Sequence, residues 1–165
     1  MKHFFKIVLL FWIVVSSAQT KLELTPKGFP PLEIEMPSQP IHELIELSKL
    51  WAPYYNTKGS DVFDVTENSL TIEARYENAY YYWNLGVQYN FDIKYSLKVV
   101  FGENQKYTLT FIVKEIYIDK VVLKTTVADF FTSEGKLKED YKDVKPSLEK
   151  TANRIINSYS AFIAQ

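Results

Sequence analysis

The side chains able to do chemistry are few and scattered. Beyond the first eighteen residues the chain has a single histidine, His42. A histidine acting as general base or metal ligand works with a partner, either a carboxylate that orients the ring or further donors around an ion. Glu43 adjoins it and Glu46 follows four residues on, facing similarly, but no second ligand stands at metal-binding spacing. His42 therefore reads as a solvated helix residue. The carboxylates of "DVFDVTE", Asp61, Asp64 and Glu67, raise the question of calcium. Their spacing does not match an Asp-rich loop with a central glycine, and acidic residues are ordinary at a hairpin. No nucleophile-elbow serine and no phosphate-cradling glycine pattern occurs, and the chain holds only five glycines. The absence of cysteine excludes disulfides, thiolate catalysis and cysteine zinc sites. No catalytic residue, cofactor or metal ligand is assigned.

Recognition chemistry has a better candidate in "YENAYYYWNLG", Tyr76 to Gly86, where five of eleven residues are aromatic. Read as the early part of the strand that follows, Tyr81, Trp83 and Leu85 continue a buried odd-numbered face. Tyr80 and Tyr82 then point outward, and Gly86 lets the chain kink. With Asn78 and Asn84 beside them, Tyr80 and Tyr82 form an exposed amphipathic patch suited to a protein or a glycan. The competing reading makes these rings a lid on the core, or cross-strand pairs.

The elements that must position these residues follow from periodicity. "LEL" and "LEIEM" are short alternating segments either side of a turn, forming one broken strand or a short hairpin. Ile41, Leu44, Ile45, Ser48 and Trp51 recur at helical spacing, with Ser38 as N-cap, Pro40 in the first turn and Pro53 as the stop. "DVFDVTENSLTIEARY" reads as a hairpin. From Val87 to Phe101 every odd residue is apolar and most even ones are polar, which predicts a half-buried antiparallel strand. "GENQ" turns the chain, and "KYTLTFIVKEIYI" returns with a phase slip that predicts a bulge near Lys114. Beyond it stand a short strand at Val121–Thr125, a mobile loop around Ser133–Asp140, and a helix with Leu148, Ala152, Ile155, Ile156, Tyr159, Phe162 and Ile163 as its apolar stripe. The predicted order is β-α-β-β-β-β-α. One apolar sheet face serves both helices, so the fold class is α+β, an antiparallel sheet with two helices on one face.

That order, with "LELTPKGFPPLEIEM" leading into a helix that ends near Trp51, "FDIKYSLKVVF" followed by "GENQKYTLTF", and "YKDVKPSLEKTANRIINSYSAFI" at the end, resembles a family of secreted bacterial proteins of unknown function with a TBP-like fold. The resemblance covers most of the chain after residue 18. It implies fold and export, and brings no catalytic residues. The stretch from Tyr76 to Leu85 lies outside the family pattern.

Export is also readable directly. Lys2 and Lys6 precede an apolar run from Ile7 to Val15, then Ser16-Ser17-Ala18. Nine apolar residues make a helix of about 14 Å, against a hydrocarbon core of about 30 Å. Residues 1–18 are thus expected to be a signal peptide cleaved after Ala18, and residues 19–165 a single TBP-like domain, periplasmic or extracellular, with no transmembrane segment left. Without cysteine the chain is not a lipoprotein. Removing Lys2 and Lys6 leaves 17 basic against 20 acidic residues, a net charge of −3. That balance argues against nucleic acid as partner, whatever the fold. The expected function is a non-enzymatic binding module of the cell envelope, with a protein or glycan as partner. The alternatives are an assembly protein that associates through a sheet edge or face, and a hydrolase if His42 meets a carboxylate from elsewhere in the chain.

Overall fold

The structure, a computed structural model, describes residues 21–165. The expected signal peptide lies outside the described residues. Six strands form one antiparallel sheet: β1 (Leu32–Glu35), β2 (Ser60–Phe63), β3 (Ser69–Asn84), β4 (Val87–Phe101), β5 (Lys106–Ile118) and β6 (Val121–Leu123). Their order is β1-β5-β4-β3-β2, with β6 also pairing β5. Two helices, α1 (Ile41–Tyr55) and α2 (Val144–Ile163), cover one face. This is the predicted α+β architecture. Among the described residues no helix is long and apolar enough to cross a membrane.

The alternation of β4 decides the sheet's sidedness. Ile93, Tyr95, Leu97, Val99 and Phe101 are buried beneath the helices, while Lys98 faces out. In β5 the phase slips where expected: Lys94 opposes Glu115 and Tyr95 opposes Val113, leaving Lys114 unopposed. That one-residue bulge returns Ile116 to the core. The helices meet through Trp51, whose ring stands edge-on to Tyr159 at 5.2 Å. Ser48 Oγ donates to the Leu44 carbonyl at 2.6 Å and accepts from Tyr159 OH at 2.7 Å, so both buried hydroxyls are satisfied. Burial pushes the Tyr159 phenol well up from its ordinary range.

Four expectations are corrected. Pro53 does not stop α1, which continues to Tyr55. A proline this near the end removes one N–H bond, and the termination belongs to Asn56, whose backbone N–H and Nδ2 both bond the Ala52 carbonyl. Ser38 does not cap the helix; Pro40 holds the N-cap position, without a side-chain bond. The "LEL" segment is neither part of β1 nor its hairpin partner. Leu22 and Leu24 are buried, and their N–H groups bond Asn153 Oδ1 and Glu149 Oε1 of α2, both at 2.8 Å. The stretch expected to be a mobile loop follows the buried pair Phe130 and Phe131 and is tied by a bridge between Phe131 and Leu137.

Candidate binding arm

The aromatic run belongs to β3, and its geometry follows from two local events. The first is a bulge. Tyr76 opposes Ile93 and Tyr80 opposes Phe91, so Glu77, Asn78 and Ala79 together face Asp92 alone. Two extra residues preserve the alternation, which keeps Leu70, Ile72, Ala74, Tyr76, Tyr80 and Tyr82 on one face. Asn78 takes a left-handed φ of 50°, and its N–H bonds Asp92 Oδ1 at 3.0 Å.

The second event is the turn. Leu85 and Gly86 have φ of 48° and 79°, and Asn84 opposes Val87. A two-residue hairpin turn with both central φ values positive has the twist that matches the flanking strands. Such a turn pairs even residues of β3 with odd residues of β4, so parity reverses across it. Tyr80 and Tyr82 therefore share the core face with Phe91 and Tyr89, while Tyr81 and Trp83 share the other with Asn90 and Gln88. This inverts the expected sidedness. Tyr80, expected to be exposed, is 4% exposed, and Trp83, expected to be buried, is 48% exposed. Tyr82 is half-buried, and Asn78 and Asn84 are exposed, so the four predicted residues do not form one surface patch.

Beyond Tyr80 and Phe91 the hairpin leaves the sheet. β2 covers β3 only from Thr71 to Ala74, and β5 pairs β4 only from Asp92 onward. What remains is a two-stranded arm. Its root is an aromatic joint. Tyr80 stacks on Phe91, Phe130 meets the Tyr80 ring edge-on at 5.7 Å, and Tyr141 bridges Phe130 and Tyr82 at 5.1 and 5.9 Å. Burial, with Tyr141 nearby, pushes the Tyr80 phenol well up. On the β3 side, α2 supplies what a strand would have: Thr151 Oγ1 donates to the Ala79 carbonyl at 2.6 Å, and Tyr81 N–H donates to Ser147 Oγ at 3.4 Å.

The outer half of the arm has no such cover. Leu85 is 97% exposed, Val87 52% and Tyr89 39%. From Tyr80 to Phe91 there is no charged residue, in a chain whose composition is 24% charged. Trp83, Leu85, Val87 and Tyr89 are the exposed residues that sequence reasoning missed. The signal was present in Leu85-Gly86 as a two-residue turn and in the uncharged run around it.

The open face of the sheet offers a different kind of surface. A cleft of about 370 Å³ is lined by Lys58, Asp61, Glu73, Arg75, Lys94 and Tyr117 among others. Its cations are already matched: Lys58 with Glu77 at 2.5 Å, Arg75 with Asp92 at 3.1 Å, and Lys94 with Glu73 at 2.9 Å. The Arg75 guanidinium also sits 4.0 Å over the Tyr117 ring, and Tyr117 OH donates to Glu115. The hydrogen bond and charge of Glu73 hold the Lys94 ammonium pKa above its usual value. His42 stands on the outer face of α1 with 80% of its side chain exposed, 4.0 Å from Glu43. Among the described residues no group of three or more acidic or histidine side chains is placed to hold a metal ion.

No family model matches the chain, and no curated protein does. Among solved structures, a DUF4468 family protein from Bacteroides ovatus ATCC 8483 aligns over 81% of this chain and 80% of its own, with a TM-score of 0.52 at 10% identity. The two chains share a fold. A TBP-like protein from Parabacteroides distasonis ATCC 8503 aligns over 81% of this chain and 86% of its own, with a TM-score of 0.47 at 16% identity. The architecture read in the sequence is thus matched by the fold of the DUF4468 family protein.

Proposed function

We propose that the chain is an exported, non-enzymatic binding module of the cell envelope, and that the arm beyond Tyr80 and Phe91 is the element that meets its partner. The observation that carries this reading is the exposure of Trp83, Leu85, Val87 and Tyr89 together on one uncharged projection. Single exposed apolar residues are ordinary on a soluble surface, whereas a cluster of them marks an interaction site. Backbone strain supports the same residues. Leu85 adopts φ of 48°, a conformation that suits asparagine or glycine. A leucine kept there, almost wholly exposed, gains nothing from packing. Tyr80 takes the role of core support, and Tyr82 and Asn84 stand between root and tip.

The experiment adds the chain beginning at Gln19 to washed envelope fractions. The wild-type chain should sediment with them, and Leu85→Glu should stay in solution; equal sedimentation of the two overturns the arm as binding element. Export rests on the basic start, the short apolar run and Ser16-Ser17-Ala18. Sequencing the N-terminus of the exported chain should return Gln19.

A free strand edge supports a second reading, assembly. The two-residue turn makes Asn84–Val87 and Tyr82–Tyr89 hydrogen-bonded pairs, so Gln88 and Asn90 turn their backbone groups away from β3. β5 does not reach them. An edge with no charge or proline invites another strand. Sedimentation that is independent of concentration would count against this reading.

A further inference from the structure

The arm carries its apolar groups on every side. Trp83 projects from one face of the ribbon, Val87 and Tyr89 from the other, and Leu85 from the end. A partner protein with a flat surface covers one face of a ribbon and leaves the other wet. A surrounding apolar medium covers both. Resting on the arm as binding element, we infer that its partner is the surface of a lipid bilayer, in which the hairpin tip seats as an interfacial anchor.

The dimensions fit. Tyr82 is the level at which the body of the protein ends, because Tyr141 packs against its ring. Leu85 lies three residues further along the chain, about 10 Å of strand. Interfacial elements bury their apolar side about 5–10 Å into the boundary between headgroups and acyl chains. The side chains are graded to match. Leu85 and Val87 lead, and Trp83, Tyr82 and Tyr89 follow with the amphipathic rings that favour the headgroup layer. Gln88, opposite Trp83, supplies an amide at the depth of the rings, with Asn84 one pair ahead of it opposite Val87 and Asn90 behind it opposite Tyr81. The outward backbone groups of Gln88 and Asn90 forbid deeper entry, since an open strand edge finds no partner in hydrocarbon. The anchor therefore sits in the interface and does not span.

Charge selects the kind of membrane. No charge lies between Tyr80 and Phe91, so the arm has nothing to gain from anionic headgroups. A zwitterionic bilayer suffices, and binding should not depend on salt.

All of the described fold lies within residues 21–165, so the chain beginning at Gln19 retains it. That chain is floated with vesicles of phosphatidylcholine, in low salt and in about 0.5 M salt, where the Debye length falls below about 8 Å. It should float equally in both. Leu85→Ala should lower the partition coefficient by on the order of tenfold or more, from the loss of buried methylene equivalents. Brominated phosphatidylcholine gives an independent readout. Trp51 is fully buried, so quenching should come from Trp83 and vanish in Trp83→Phe. Three results would overturn the inference: no flotation, flotation that needs anionic lipid and is reversed by salt, or flotation with Trp83 unquenched. If washed envelopes retain the chain through Leu85 while lipid vesicles do not, the partner is a protein or glycan. The lipid inference then fails and the binding reading stands.

Discussion

Tyr80 lies flat on Phe91, ring centroids 4.8 Å apart and planes 4° from parallel. This pair marks the junction of body and arm: inward of it β4 is paired on both sides, and outward of it no further strand pairs the hairpin. Removing the ring should therefore do two things. Tyr80→Ala should cost roughly 3–5 kcal/mol, the usual range for deleting a buried aromatic ring. It should also raise amide exchange in the arm more than in β5. Tyr80→Phe keeps the stack and should stay close to wild type in urea unfolding.

Thr151 closes the edge of β3 where β2 has ended, by donating to the Ala79 carbonyl at 2.6 Å. Both groups are buried, so the near-isosteric Thr151→Val leaves a carbonyl without a partner. The expected loss is about 1–3 kcal/mol. Thr151→Ser keeps the donor and should recover most of it. Equal midpoints for the valine and serine variants would show that the bond contributes nothing.

The buried tyrosines set an alkaline limit. Partial burial, followed by the neighbouring phenol of Tyr76, pushes the phenol of half-buried Tyr55 up to about 12. Burial likewise raises Tyr80, Tyr95, Tyr107 and Tyr159. A raised folded pKa means that the folded state holds its proton more tightly than the unfolded chain, whose tyrosines titrate near 10. The stabilisation is complete below about pH 10 and is lost as pH rises through the folded values. Stability should thus be insensitive to these groups up to about pH 10 and then fall, by about 1.4 kcal/mol per pH unit for each buried phenol still protonated. The last phenolate absorbance to appear, that of the buried rings, should rise together with loss of helix signal. Complete phenolate formation with the helices intact would contradict it.

Much of this fold was legible because its strands are one-sided. β4 and β5 have the ends that alternation predicts, and the bulge at Lys114 was visible as a change of parity between Val113 and Ile116. What was missed depends on pairing, which alternation along one strand cannot express. Tyr81 and Trp83 are odd like Tyr89 and Phe91, but a two-residue turn at Leu85-Gly86 sends equal parities to opposite faces. The path of Leu22 and Leu24 along α2 was hidden for a similar reason. Their N–H groups are satisfied by Asn153 and Glu149, residues more than a hundred positions away.

Leu85 offers the sharpest separation of stability from function. At φ of 48° leucine carries a strain of roughly 1 kcal/mol that asparagine largely escapes. Its side chain is 97% exposed, so the replacement sacrifices no packing. Leu85→Asn should therefore leave the protein as stable as wild type or up to about 1 kcal/mol more stable. The same substitution should weaken retention by envelope fractions as strongly as Leu85→Glu, although it introduces no charge. Urea midpoints and sedimentation with envelopes, measured on the same samples, test both halves. A variant that is stabilised and still fully retained would leave the strained leucine without a role in binding.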